Sequence, residues 1–184
     1  MDARARILAA AVEILGRGGY DAATISAVAK LAGVSRPTVY AHFGSRDLML
    51  SEALREAAGA LVARIVQRTR GTSSAAEFVV EATVAARSEF RSRPAFGPLA
   101  FPDRASFGLF RESLAPETLA LARGFLTPVL EIQPALADEL DEIAETVIRF
   151  TLSLVWFDSE ATATDDDLRA YLHRRLVPAL GITR

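Results

Sequence analysis

The chain has no cysteine. Disulfides and thiolate zinc sites are therefore excluded, and cytoplasmic residence is the expectation, since the composition fits a reducing compartment. Histidine is almost as scarce, His42 and His173 being the only two. No His, Asp or Glu group has metal-ligand spacing, so no metal and no cofactor is expected. The G-x-S-x-G elbow, the P-loop and the dinucleotide glycine pattern are all missing. The acidic pair Glu142 and Glu145 falls on a helix face that reads as solvated. Enzymatic catalysis is not expected. No run approaches the roughly 20 uninterrupted apolar residues of a membrane span. Met1 is followed by Asp2 and an amphipathic stretch, not by a basic region and an apolar run, so no targeting segment is expected. Internal repeats and low-complexity segments are also lacking.

What is present is 184 residues, 51% of them hydrophobic, enough for one large domain or two small ones with a sizeable core. A net charge of −2 argues against indiscriminate binding to polyanions. Its distribution is uneven. Residues 1–50 hold Arg4, Arg6, Arg17, Lys30, Arg36 and Arg46 against Asp2, Glu13, Asp21 and Asp47, a balance of +2, which leaves −4 for the remainder. A basic head on an acidic body orients a molecule toward a polyanion.

The most informative stretch is Thr24–Phe43, TISAVAKLAGVSRPTVYAHF. Thr24 is a helix-capping type. Ile25, Val28, Ala29 and Ala32 recur at helical spacing. Gly33 ends that helix, because glycine takes the left-handed state at little cost. Ser35 caps a second helix, and Pro37 sits in its first turn, where a missing N–H costs nothing. Val39 and Phe43, four apart, anchor this second helix. Ser35, Arg36, Pro37, Thr38, Tyr40 and His42 then face elsewhere. This is a helix-turn-helix, whose second helix offers its side chains to the DNA major groove. Arg36 is suited to a guanine edge, a contact worth about 1–3 kcal/mol of base discrimination.

The run from Gly33 to Leu50, GVSRPTVYAHFGSRDLML, resembles the tetracycline-repressor (TetR) family of bacterial regulators. The turn GVS is followed by Thr38, Tyr40 and Phe43 in the family's places, and Ser45 and Arg46 open the next helix. Many members carry Lys at the position of Arg46. The resemblance implies an all-α protein of about nine helices. A three-helix helix-turn-helix head over 1–46, with its motif at 24–43, would precede a helical ligand-binding and dimerisation domain over 47–184. It implies a sequence-specific DNA-binding transcriptional regulator, a repressor released from a palindromic operator by a small apolar effector. Its partners would be double-stranded DNA, a second copy of the chain and that effector, with no membrane. The DNA-binding residues would be Thr24, Ser35, Arg36, Pro37, Thr38, Tyr40, His42 and Arg46. For Arg4 and Arg6, a phosphate contact and plain solvation both remain open. Two alternatives also stand: a regulator that activates without an effector, and a small-ligand carrier that does not touch DNA.

The rest of the chain reads as helices. The first covers about 2–17 and stops at Gly18 and Gly19. A long helix covers about 46–69 and is the natural lever between head and body. A capping box from Ser74 to Glu77 opens a helix running to about Arg91. Pro94, Pro98 and Pro102 then forbid a continuous helix. A short helical piece at about 103–113 and a helix opened by Pro116 follow. In the family this region holds the inducer pocket, so Phe90, Phe96, Phe101, Phe107, Phe110 and Phe125 are the expected apolar wall. Arg87, Glu89, Arg104 and Arg111 are candidate polar partners there, or are solvated. A long helix over about 135–158 is apolar on nearly all sides in its second half and needs cover all round. A second capping box, Thr164 to Asp167, opens the last helix. In the family the two final helices form the dimer interface. Val147, Phe150, Thr151, Leu154, Val155, Phe157, Leu172 and Leu176 are the residues expected there.

Overall fold

The computed structural model describes residues 2–92, 116–157 and 159–182. Among them the chain is all-helical, with eight α-helices: α1 (Ala3–Ala22), α2 (Ile25–Ala32), α3 (Arg36–Phe43), α4 (Arg46–Arg68), α5 (Ala75–Ser92), α6 (Pro116–Ile132), α7 (Leu140–Trp156) and α8 (Asp165–Ala179). The expected piece at 103–113 lies outside the described residues. The helix expected over 135–158 is divided. Pro134–Glu139 forms a 3-10 segment, and α7 begins only at Leu140. Gln133, which precedes the proline, makes no side-chain cap, so nothing locks the first turn into α geometry.

The chain forms two compact units, and among the described residues it passes between them within α4, after Leu61, and near the end of α5, after Phe90. In the first, α1 starts with Asp2 accepting from the Ala5 N–H at 2.7 Å. It breaks at Gly19, whose φ of 71° and ψ of −171° suit glycine alone, and one further turn carries the chain to Ala22. Ile7, Leu8, Ala11 and Leu15 of α1 pack on Ile25, Val28 and Ala29 of α2, on Val39 and Phe43 of α3, and on Met49, Leu50 and Ala53 of α4. The head core therefore includes residues of the first two turns of α4, past residue 46, where the head is expected to end. Helices of eight residues are marginal in isolation, so α2 and α3 exist because they close this core. Full burial of each large aliphatic side chain stabilises it by about 1.5–3 kcal/mol.

The second unit is built around Phe78 and Val79 of α5, Leu126 and Val129 of α6, Ile143 and Leu154 of α7, and Leu168, Leu172 and Leu176 of α8. Both capping boxes open their helices, with one change. Ser74 caps α5 by accepting from the Glu77 N–H, but the Glu77 carboxylate reaches back to Ser73, to its N–H at 2.8 Å and its hydroxyl. These two donors hold the Glu77 pKa below the usual carboxylate range. At α8 the box is reciprocal between Thr164 and Asp167.

Arg87 is neither solvated nor in an apolar pocket. It is buried, donating to the Thr162 carbonyl and to Asp165 Oδ1, and so ties α5 to the start of α8. Arg169 adds a fork onto Glu81, at 2.6 and 3.1 Å, which raises its own pKa. Glu89 pairs with Arg64 at 2.6 Å. Arg104 and Arg111 lie outside the described residues.

Candidate nucleic-acid interface

The helix-turn-helix is assembled from local bonds. Thr24 Oγ1 accepts from the Ala27 N–H at 3.1 Å and opens α2. Gly33 closes it with φ 64° and ψ 40°, and the Val34 N–H reaches back to the Ala29 carbonyl at 3.0 Å. That reversal drops Val34 against the head core. Ser35 Oγ then accepts from the Thr38 N–H at 3.2 Å and lies 2.7 Å from Thr38 Oγ1. Thr24, Ser35 and Thr38 therefore have local roles in shaping the motif.

Residues four apart share a side of a helix, and this sorts the eight residues of α3. Val39 and Phe43 point inward, 0% and 6% exposed. Pro37 and Ala41 form the opposite crest. Arg36 and Tyr40 share one flank, Thr38 and His42 the other. All of these outer residues are exposed except Thr38, which is half-buried, and Tyr40 is 48% exposed despite its large ring. Ser35, Arg36, Pro37, Tyr40 and His42 are thus brought together on an open face. Ala41 belongs with them and was missed. Its four-residue step from Pro37 was the available signal, and its methyl group suits contact with a thymine methyl.

Arg46, expected to reach a phosphate, is engaged within the head. Its Nε donates to the Ala23 carbonyl at 3.0 Å and one terminal nitrogen donates to the Tyr20 carbonyl. The other lies 3.8 Å from Asp47 Oδ1. The guanidinium also stacks 4.3 Å from the centre of the Tyr20 ring, and the Tyr20 hydroxyl donates to Asp47 at 3.0 Å. The last turn of α1 leaves carbonyls open, and a planar fork satisfies two of them at once. Arg4 is also engaged within the head, paired with Glu52 and lying over the Phe43 ring. Arg6, Lys30 and Arg36 are exposed, with no ion pair among the described residues.

The other expected sites fare unevenly. Phe96, Phe101, Phe107 and Phe110 lie outside the described residues. Phe90 is half-buried at the end of α5. Phe125 packs on Phe78, ring centres 5.2 Å apart, at the edge of the second unit's core. A shallow groove of about 310 Å³ lies along α6, lined by Ala120, Arg123, Gly124, Thr127 and Leu140, and contains none of the expected aromatics. Of the residues expected between two subunits, Leu172 and Leu176 are 0% exposed within one chain. Thr151, Leu154 and Val155 are buried as well. These five are thus covered within a single chain. Val147 and Phe150 are half-buried on α7, and Phe157, just beyond its end, is 73% exposed.

A capped, glycine-reversed helix pair that presents an open second helix defines a helix-turn-helix. Residues 7–53, the head of the chain, match the family described as bacterial regulatory proteins, tetR family. Over 72 residues the chain is 31% identical to the fatty acid metabolism regulator protein of Bacillus subtilis (strain 168). That alignment covers 39% of this chain and spans 37% of the relative's length. A transcriptional regulator from Rhodococcus sp. Rha1 has a similar structure, with a TM-score of 0.63 and 27% identity over 97% of both chains. The fold is also that of FadR from Bacillus subtilis, solved in complex with stearoyl-CoA, with a TM-score of 0.59 and 22% identity over 96% of both chains.

Proposed function

We propose that this protein is a sequence-specific DNA-binding transcriptional regulator, acting in the cytoplasm as a homodimeric repressor that a small apolar effector releases from a palindromic operator. The observation that carries the reading is the open face of α3. Arg36, Pro37, Tyr40, Ala41 and His42 are exposed while Val39 and Phe43 hold the helix to the head. A purely structural helix has no need for an arginine, a tyrosine and a histidine set around a small-residue crest. Arg36 and His42 donate to base edges, Tyr40 to a base or phosphate, and Pro37 and Ala41 contact thymine methyls. Thr24 and Ser35, at the starts of α2 and α3, bring backbone N–H groups toward phosphate.

One short helix reads few base pairs, so selectivity calls for two copies about one helical turn apart. The exposed Phe157 and half-buried Val147 and Phe150 supply an apolar surface for pairing. For the effector, two similarities favour an acyl chain: the relative named for fatty acid metabolism and the similar structure holding stearoyl-CoA. No catalytic role is proposed for any residue. Among the described residues, no helix is long and apolar enough to cross a membrane.

The test is selection of bound duplexes from a random pool, followed by titration of the complex with stearoyl-CoA. The expected outcome is enrichment of a palindrome and its release by the acyl compound but not by coenzyme A alone. Failure to enrich any sequence overturns the DNA-binding reading. Enrichment without release overturns only the effector assignment.

A further inference from the structure

We propose that Arg46 is a positioning residue that clamps the α1–α2 turn to the start of α4, and that it does not contact phosphate. This rests on the DNA-binding reading of the head. Each of the three guanidinium nitrogens has a partner inside the head: the Ala23 carbonyl, the Tyr20 carbonyl and, more loosely, Asp47. The plane of the group is held against the Tyr20 ring, whose hydroxyl returns to Asp47. The four residues form a closed ring of contacts. Its two ends are the turn that leads directly into Thr24, the cap of α2, and the first turn of α4. A side chain so occupied has no guanidinium nitrogen left without a partner inside the head. Its effect on DNA affinity comes through the placement of α2, against which α3 packs.

Arginine is required for this and lysine does not replace it. An ammonium is a point donor on a flexible stem, unable to bridge two carbonyls while stacking on a ring. A phosphate contact, by contrast, is well served by lysine. The two roles therefore predict opposite results for the same substitution.

The experiment uses the full chain carrying Arg46→Lys or Arg46→Met, with binding to the selected duplex measured across a salt series. Under the clamp, both variants bind about tenfold more weakly than wild type at every salt concentration, as expected for lost charge-assisted hydrogen bonds. The slope of log affinity against log salt is unchanged. Wild-type affinity for Arg46→Lys, together with a slope reduced by about one per head for Arg46→Met, would overturn the proposal. Amide hydrogen exchange without DNA provides an independent readout. The Ala23 and Thr24 amides, bonded within the turn to the Tyr20 and Ala22 carbonyls, exchange faster in both variants while the α1 core amides do not. Unchanged exchange at those two amides also overturns the clamp. If wild type binds no duplex, the functional reading fails, and the exchange measurement still decides whether the clamp exists.

Discussion

At the residue scale, the interface depends on which side chains α3 leaves free. Arg36 and Tyr40 share a flank and are both exposed, so their removal creates no cavity in the head. We predict that Arg36→Ala loses about 1–3 kcal/mol of discrimination at one base pair per half-site. Tyr40→Ala lowers affinity for the operator more evenly, and thermal denaturation of both variants matches wild type. Selection profiles and melting curves check this. An Arg36→Ala variant that melts early, or that keeps its base preference, counts against the assignment. The caps of the motif were legible because they are local: Thr24, Gly33 and Ser35 act within four residues of themselves. Arg46 was not. Spacing shows that a cation opens α4 but not which way its stem turns, and the carbonyls it satisfies belong to a turn 23 and 26 residues earlier. Arg87 was hidden for the same reason, since its carboxylate partner lies 78 residues away.

At the scale of elements, apolar periodicity revealed which helices exist but not what covers each face. The stripes of α7 and α8 read as shared between a core and a partner subunit. The structure assigns Leu154, Leu172 and Leu176 to the core and leaves Phe157 in the open. The two groups therefore respond differently to mutation. We predict that Leu172→Ala destabilises the protomer by about 2–5 kcal/mol, as the loss of a fully buried leucine does. Phe157→Asp leaves the protomer folded and weakens self-association. Chemical denaturation and sedimentation together separate the two effects. A monomeric but fully stable Leu172→Ala protein, or an unaltered assembly for Phe157→Asp, would reverse these assignments. The start of α7 was also misread, because an apolar pattern does not distinguish the 3-10 segment after Pro134 from the α-helix that follows it.

At the scale of the whole molecule, charge and pairing set how the protein meets DNA. With Arg4 and Arg46 engaged internally, Arg6, Lys30 and Arg36 are the exposed unpaired cations among the described residues of α1 to α3. Salt dependence should then be moderate, and much of the specificity should come from fit in the groove. The absence of native cysteine permits the most direct test of that fit. Ala41→Cys, on the outer crest of α3, carries a DNA-cleaving chelate as the sole label, and cleavage of the selected duplex is mapped on both strands. The account predicts two symmetric cleavage clusters about one helical turn apart, each within the major groove of a half-site. Absence of cleavage from a complex that still forms, or a single cluster with no symmetric mate, would contradict it.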